Sequence, residues 1–223
     1  MARMLGGLTL LLLGVGLVAG LWVAPRDGVQ GDVQRIMYVH VPAILTAYAA
    51  IAVVFVGSVA YLATRRPGWD RAATAAGELA VCFTGLTLAT GSIWGKPTWG
   101  TWWTWDARLT STALLFVVYL GYLLLRSVVD DPERAATYAA VLGIVGTLDV
   151  PIIHFSVEWW RTLHQPATML KPQAPSMDRT MLVTLLVNVA AFLCTLAYLA
   201  CRRYRLLGLE AEARERLLDP RRP

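Results

Sequence analysis

Charge is scarce in these 223 residues. Asp, Glu, Lys and Arg make up 16% of the chain, against about 25% in an ordinary soluble domain. Apolar residues reach 57% and mean hydropathy is +0.53, which excludes a water-soluble globular chain and a disordered one together. Cysteine is sparse as well. Cys82, Cys194 and Cys201 cannot close a disulfide framework and show no C-x-x-C spacing, so neither a disulfide scaffold nor a thiolate metal site is expected. The three read as buried apolar residues. Glycine has no three-residue period, which excludes a collagen-like chain. The net charge of +5 would suggest nucleic-acid binding in a soluble protein, but here the placement of the charges carries the meaning. No nucleic-acid partner is expected.

What the sequence has in abundance is long apolar runs. A helix crosses about 30 Å of hydrocarbon with about 20 residues. Six stretches qualify: Met4 to Ala24, His40 to Ala63, Ala73 to Ile93, Ala107 to Leu125, Ala135 to Phe155 and Thr180 to Cys201. The expected fold is therefore an all-α integral membrane protein with six transmembrane helices. Glu78 and Asp149 lie inside spans, and Arg108 opens one. With the N-terminus inside, 13 of the 20 basic residues fall on the inner side, among them Arg65, Arg66, Arg71 and the run Arg202-Arg203-Tyr204-Arg205. Positively charged loops stay in the cytoplasm, so both termini are expected there. The first span exceeds the roughly 7–15 apolar residues of a signal peptide, and no small-x-small pattern precedes Arg26; it reads as a retained helix. Residues 1–205 form one membrane domain, and residues 206–223 read as a cytoplasmic tail with a short amphipathic helix.

The outside segments are chemically richer. Five of nine Trp crowd the segment from Trp94 to Asp106 between the third and fourth spans. An aromatic belt at the interface accounts for one or two Trp per helix end, fewer than stand here beside Gly95, Pro97 and Gly100. A shaped indole surface suits a large planar ligand, with a porphyrin, a quinone or a lipid headgroup region as candidates.

All three histidines map to the same outer half. His40 opens the second span, His154 closes the fifth, and His164 follows in the last outside segment. Singly, each reads as a hydrogen-bonded interfacial residue. Jointly, His40 and His154 stand at one membrane depth under the Trp-rich loop, where two imidazoles can fill both axial positions of a haem iron. A bare zinc ion would need three or four converging ligands, and Asp149 is off the helical face of His154. Arg35, Lys96, Arg108 and Arg161 are on the correct side to pair with haem propionates, with Arg108 the best placed. Asp106 reads as a helix cap or an anchor for the loop. Asp149, within a span, is expected to face water, a partner or a polar pocket, with Pro151 kinking the helix beside it.

Trp99-Gly100-Thr101-Trp102-Trp103-Thr104-Trp105-Asp106 resembles the WGxxWxWD signature of the tryptophan-rich, haem-handling (WWD) family of cytochrome c maturation. Met37-Tyr38-Val39-His40-Val41-Pro42 and the segment from His154 to Gln165 are similar to its short branch, haem exporter protein C, also called cytochrome c maturation protein C. Longer haem lyase members have more spans and further paired histidines. The resemblance implies a protein that is not an enzyme. It would bind haem b transiently and non-covalently at the outer, periplasmic face of the bacterial inner membrane and help deliver it to a periplasmic haem chaperone. It also implies an ABC transporter complex, with ATPase and membrane subunits and a small single-span subunit. His40 and His154 match the family's axial ligands, and Trp99, Trp102, Trp103, Trp105 and Asp106 its haem-binding loop. Two positions depart from the pattern: Asp149 stands where a neutral polar residue such as Asn is expected, and Trp102 where Tyr is frequent. The alternatives are a permease subunit of a haem exporter and an electron-transfer subunit with a permanent haem.

Overall fold

A computed structural model of the chain describes residues 2–164 and 177–218. Lys171, Gln165 and the last tail residues, 219–223, lie outside the described residues. Among the described residues, seven α-helices make six crossings: α1 (Ala2–Val18), α2 (Met37–Thr64), α3 (Pro67–Trp99), α4 (Ala107–Val128), α5 (Pro132–Thr147), α6 (Asp149–Trp159) and α7 (Arg179–Leu218), with α5 and α6 crossing together. The all-α fold with six apolar spans is thus as the hydropathy pattern implies. Among the described residues there is no strand, only an isolated bridge between Asp27 and Gly31.

Helix starts follow local chemistry. Asp106 accepts from the Leu109 N–H at the head of α4, and Asp131 accepts from Glu133 and Arg134 ahead of α5. Pro67 and Pro132 occupy first-turn positions, where the missing N–H costs nothing. The α2–α3 turn is tight because Arg65 adopts a left-handed conformation, φ 55°.

Helix α3 runs on to Trp99, so the expected loop from Trp94 to Asp106 contracts to Gly100–Asp106. Pro97 does not stop the helix because it sits in the last turn, where it removes a single bond to the Ile93 carbonyl. Gly100, at φ 80°, then closes the helix with its N–H on the Lys96 carbonyl. Pro151 has the opposite effect. Its ring lacks the donor for the Thr147 carbonyl four residues back and crowds it, and the fifth crossing breaks at Leu148. Asp149 lies buried at that break, and its Oδ2 has no partner among the described residues. Nothing in the structure explains it.

The bundle packs through small residues. Ala43, Ala47 and Ala50 of α2 and Ala73, Ala76 and Ala80 of α3 are almost wholly buried, letting backbones approach where lipid gives no hydrophobic drive. Tyr122 of α4 lies in a slot between two glycines: a Cβ on Gly77 would stand 2.7 Å from its ring and one on Gly143 would stand 2.8 Å from Val54. The span carboxylate Glu78 is matched across helices by a two-pronged bond from Arg203 of α7, at 2.6 and 2.9 Å. Arg126 likewise meets Asp70 at 2.6 Å.

Two expectations need correction. Cys82 and Cys201 are exposed and Cys194 half-buried; they stand on outward helix faces, where acyl chains accommodate a small apolar thiol as well as a core does. The tail does not start a separate short helix either. Without a proline after the last span, α7 continues unbroken to Leu218, reinforced by Arg203 bonding Glu210 at 3.0 Å.

Replacing Gly143 by Val overpacks its contact with Val54 and Ser58 of α2 and lowers stability by about 1–3 kcal/mol, read as a lower melting temperature in detergent. Gly121→Ala, at a position with nothing within 4 Å, leaves the melting temperature unchanged or raises it.

Candidate functional site

Where α2, α3, α4 and α6 meet, a cavity of about 260 Å³ opens. All three histidines line it, with Trp94, Trp99, Trp103 and Arg108, over an apolar floor that includes Val41, Ile44 and Ile153. The chain thus gathers residues more than a hundred positions apart.

His40 sits in the first turn of α2. Its Nδ1 is 3.1 Å from the Thr90 hydroxyl of α3, and that hydroxyl donates its own proton to the Leu86 carbonyl at 2.7 Å. Thr90 therefore accepts from the Nδ1–H, and Nε2 keeps its lone pair. The ring has room because residue 91 is glycine: a Cβ there would lie 3.0 Å from the imidazole Cε1. The Trp94 indole stands edge-on to it at 5.7 Å and donates its Nε1–H to Gln30 at 2.8 Å.

His154 lies on α6, past the break, with its ring edge-on to Phe155 at 5.0 Å. Its backbone carbonyl accepts from Arg108 Nη2 at 3.0 Å, which ties α6 to the start of α4. The Arg108 Nε is buried without a protein partner among the described residues, and so is the Trp103 Nε1. Both belong to cavity-lining side chains. An unpaired buried donor costs about 1–3 kcal/mol, so this wall is suited to an acceptor such as a carboxylate.

Asp106 does two things. One oxygen caps α4 through the Leu109 N–H at 2.8 Å. The other faces His164 Nδ1 at 3.2 Å and the Leu163 N–H at 3.3 Å, fastening the segment after α6 to the Trp-rich loop. The Trp99 indole meets the His164 ring at 4.7 Å. Burial pulls His164 below the usual histidine pKa despite the opposing pull of Asp106, so its ring is neutral at physiological pH.

Of the residues singled out from sequence, His40, His154, Trp99, Trp103 and Arg108 line the cavity. Trp102 and Trp105 do not: they are 57% and 81% exposed, with Trp105 leaning edge-on against Trp103 at 5.5 Å. Asp106 acts through the bonds just described. The other candidate cations are engaged elsewhere or exposed. Arg35 bonds the Gly20 and Ala24 carbonyls, Lys96 bonds the Gly100 carbonyl, and Arg161 is exposed. Gln30, Tyr48, Gly91 and Trp94 belong to the cavity without having been singled out. Only Trp94 carried a signal, as part of the tryptophan cluster. No cluster of three or more His, Cys, Asp or Glu suited to a bare metal ion occurs among the described residues.

A family model described as Heme exporter protein C matches residues 1–219. The chain is 45% identical over 205 residues to the Heme exporter protein C of Bradyrhizobium diazoefficiens, covering 91% of this chain and 78% of that one. It is 39% identical over 215 residues to the Heme exporter protein C of Escherichia coli K12, covering 96% and 84%. A ccmC-like mitochondrial protein of cytochrome c biosynthesis from Marchantia polymorpha is 39% identical over 191 residues, covering 86% and 81%. With the match running through all six apolar helices and the cavity between them, the chain belongs to the Heme exporter protein C family.

Proposed function

We propose that the chain holds haem b, non-covalently and in transit, in the cavity between α2, α3, α4 and α6, and passes it to a periplasmic haem chaperone. One observation carries this reading: unpartnered donors on Arg108 and Trp103 share a cavity wall with imidazoles from distant helices. Imidazole nitrogen suits iron, and paired donors suit a propionate. His40, with its lone pair on Nε2, and His154 supply the axial ligands. Arg108 and Trp103 Nε1 receive a propionate, and Trp99 packs against the macrocycle. At about 260 Å³ the cavity lies below the roughly 300–1,000 Å³ that encloses a whole drug-sized ligand, so part of a porphyrin stays outside. Trp102 and Trp105, exposed beyond the rim, meet that edge and the chaperone.

The cavity faces the periplasm and both termini face the cytoplasm, an orientation supported by the arginines after α7 and in the α2–α3 turn. Residues 1–205 act as the haem-handling domain, and the continuation of α7 forms the cytoplasmic tail. The chain works without catalysis of its own, beside the ATPase, membrane and small single-span subunits of an ABC-type complex in the inner membrane. A permease path through this chain is disfavoured, since Ile51, Val54, Leu115, Tyr119 and Tyr122 fill the interior below the cavity and transport paths need polar lining.

The wild-type protein purified from membranes is expected to carry haem with a low-spin, bis-imidazole absorption spectrum. The double variant His40→Ala/His154→Ala loses both that spectrum and the haem; retention of stoichiometric low-spin haem refutes the axial assignment. Arg108→Leu removes a charge-assisted bond and weakens haem affinity roughly ten- to a hundredfold, measured by titration into the haem-free protein in detergent. Trp105→Ala leaves haem occupancy unchanged but slows transfer to the haem chaperone; equal transfer rates speak against an exposed docking edge.

A further inference from the structure

We propose that a second cavity, between α3 and α7 at the end of the bundle away from the histidines, binds an anionic phospholipid, with Arg202 and Arg205 on its phosphate and leucines along an acyl chain. The site is independent of haem and does not rest on the reading above. The cavity measures about 430 Å³ and is lined by Leu79 of α3 and by Leu199, Arg202, Arg205 and Leu206 of α7, together with the Glu78–Arg203 pair.

The charges here are unevenly matched. Arg203 is committed to carboxylates, donating to both Glu78 oxygens at 2.6 and 2.9 Å and to Glu210 at 3.0 Å. Arg202 and Arg205 pair with no carboxylate among the described residues. Arg202 donates through Nη1 to the Tyr198 hydroxyl at 3.2 Å, which leaves the rest of its fork unused. Residues three apart on a helix are surface neighbours, and two like charges so placed repel. An anion between them removes that repulsion, and the oxygens of a phosphate match the guanidinium fork.

Depth selects which phosphate. Helix α7 starts at Arg179, and about 20 residues rising 1.5 Å each cross the hydrocarbon. The apolar layer therefore ends near Leu199, and Arg202 and Arg205 stand one turn further, at the level of the headgroups. Leu199 and Leu206 are 39% and 48% exposed, so apolar surface lies open directly beside the two cations. The cavity thus presents leucine toward the bilayer and arginine at its surface, the order in which a phospholipid carries its chains and its phosphate. A soluble anion would use the arginines and leave the leucines uncovered.

The test uses the full chain, delipidated in mild detergent, with native mass spectrometry to count retained lipid and the melting temperature as a second readout. Palmitoyl-oleoyl phosphatidylglycerol is expected to stay bound and to raise the melting temperature. Phosphatidylcholine with the same chains, whose choline cation the arginines repel, does neither, and nor does inorganic phosphate. Arg202→Gln/Arg205→Gln lowers retention about ten- to thirtyfold, whereas Arg202→Lys/Arg205→Lys keeps the charge and most of the binding. Arg214→Gln/Arg216→Gln removes the same charge from the same helix outside the cavity and leaves retention unchanged. An unaltered melting temperature of the glutamine pair at 202 and 205 in phosphatidylcholine separates loss of the site from loss of the fold. Equal retention of the two lipids overturns the proposal. So does an equal loss in the Arg214→Gln/Arg216→Gln chain, which reduces the effect to overall charge, and so does equal stabilisation by inorganic phosphate, which makes the cavity a soluble-anion site.

Discussion

The close approach of α2 and α3 sets everything else in place. Side chains larger than alanine along this seam would push the helices apart, and the buried Ala43, Ala47 and Ala50 with Ala73, Ala76 and Ala80 keep them together. At one end Gly57 lets the two backbones meet, since a Cβ there would stand 3.0 Å from the Trp69 carbonyl. At the other end the same closeness gives Thr90 its bond to His40 and requires glycine at position 91. The tautomer of a proposed iron ligand is thus fixed by packing whose purpose, viewed locally, is only to bury small residues. In lipid this economy is general, because van der Waals contact replaces the hydrophobic drive that water would supply.

The second device is a break rather than a contact. The helical bonding of the fifth crossing is interrupted at Leu148, three residues before Pro151, and Arg108 ties the far end of α6 to α4 through the His154 carbonyl. Asp106, two residues before Arg108, fastens the next segment to the same place through His164 and Leu163. The start of α4 therefore acts as a clamp on both outside segments, and the sequence Asp106-Ala107-Arg108 supplies it from one turn of chain.

The spans were legible because hydrocarbon admits so few solutions: about 20 apolar residues that satisfy their own backbone can only be a crossing helix. That His40 and His154 would come near each other was legible for the same reason, since span ends limit depth, and both line one cavity. The other lateral neighbours were not legible. Helices apolar on all sides carry no face signal, so Tyr48 and Gly91 gave no hint of lining a cavity, and Gln30 stands in a turn with no periodicity to read. The second oxygen of Asp106 was equally hidden, its partner His164 lying 58 positions away. Pro97 misled in the other direction: a residue that usually ends helices stands in a final turn, where it forfeits one bond. The thiols of Cys82 and Cys201 looked like core and face outward, because a bilayer makes the outside of the bundle as apolar as the inside.

The polar groups of the cavity divide unevenly, and that division bears on transit. A site built to keep a haem permanently would gain from satisfying each donor and enclosing the whole macrocycle. Here Arg108 Nε and Trp103 Nε1 remain without protein partners among the described residues, and the walls enclose less than a porphyrin. On the proposed function these donors favour loading, since each gains a bond worth about 1–3 kcal/mol when a propionate arrives. They also penalise the emptied state by the same amount, so release requires compensation from outside. The exposed edge allows it: a chaperone can contact haem while the imidazoles still hold the iron, and ligands can then be exchanged one at a time. Stepwise exchange avoids a free, uncoordinated haem, whose apolar surface would otherwise partition into the bilayer a few ångströms away.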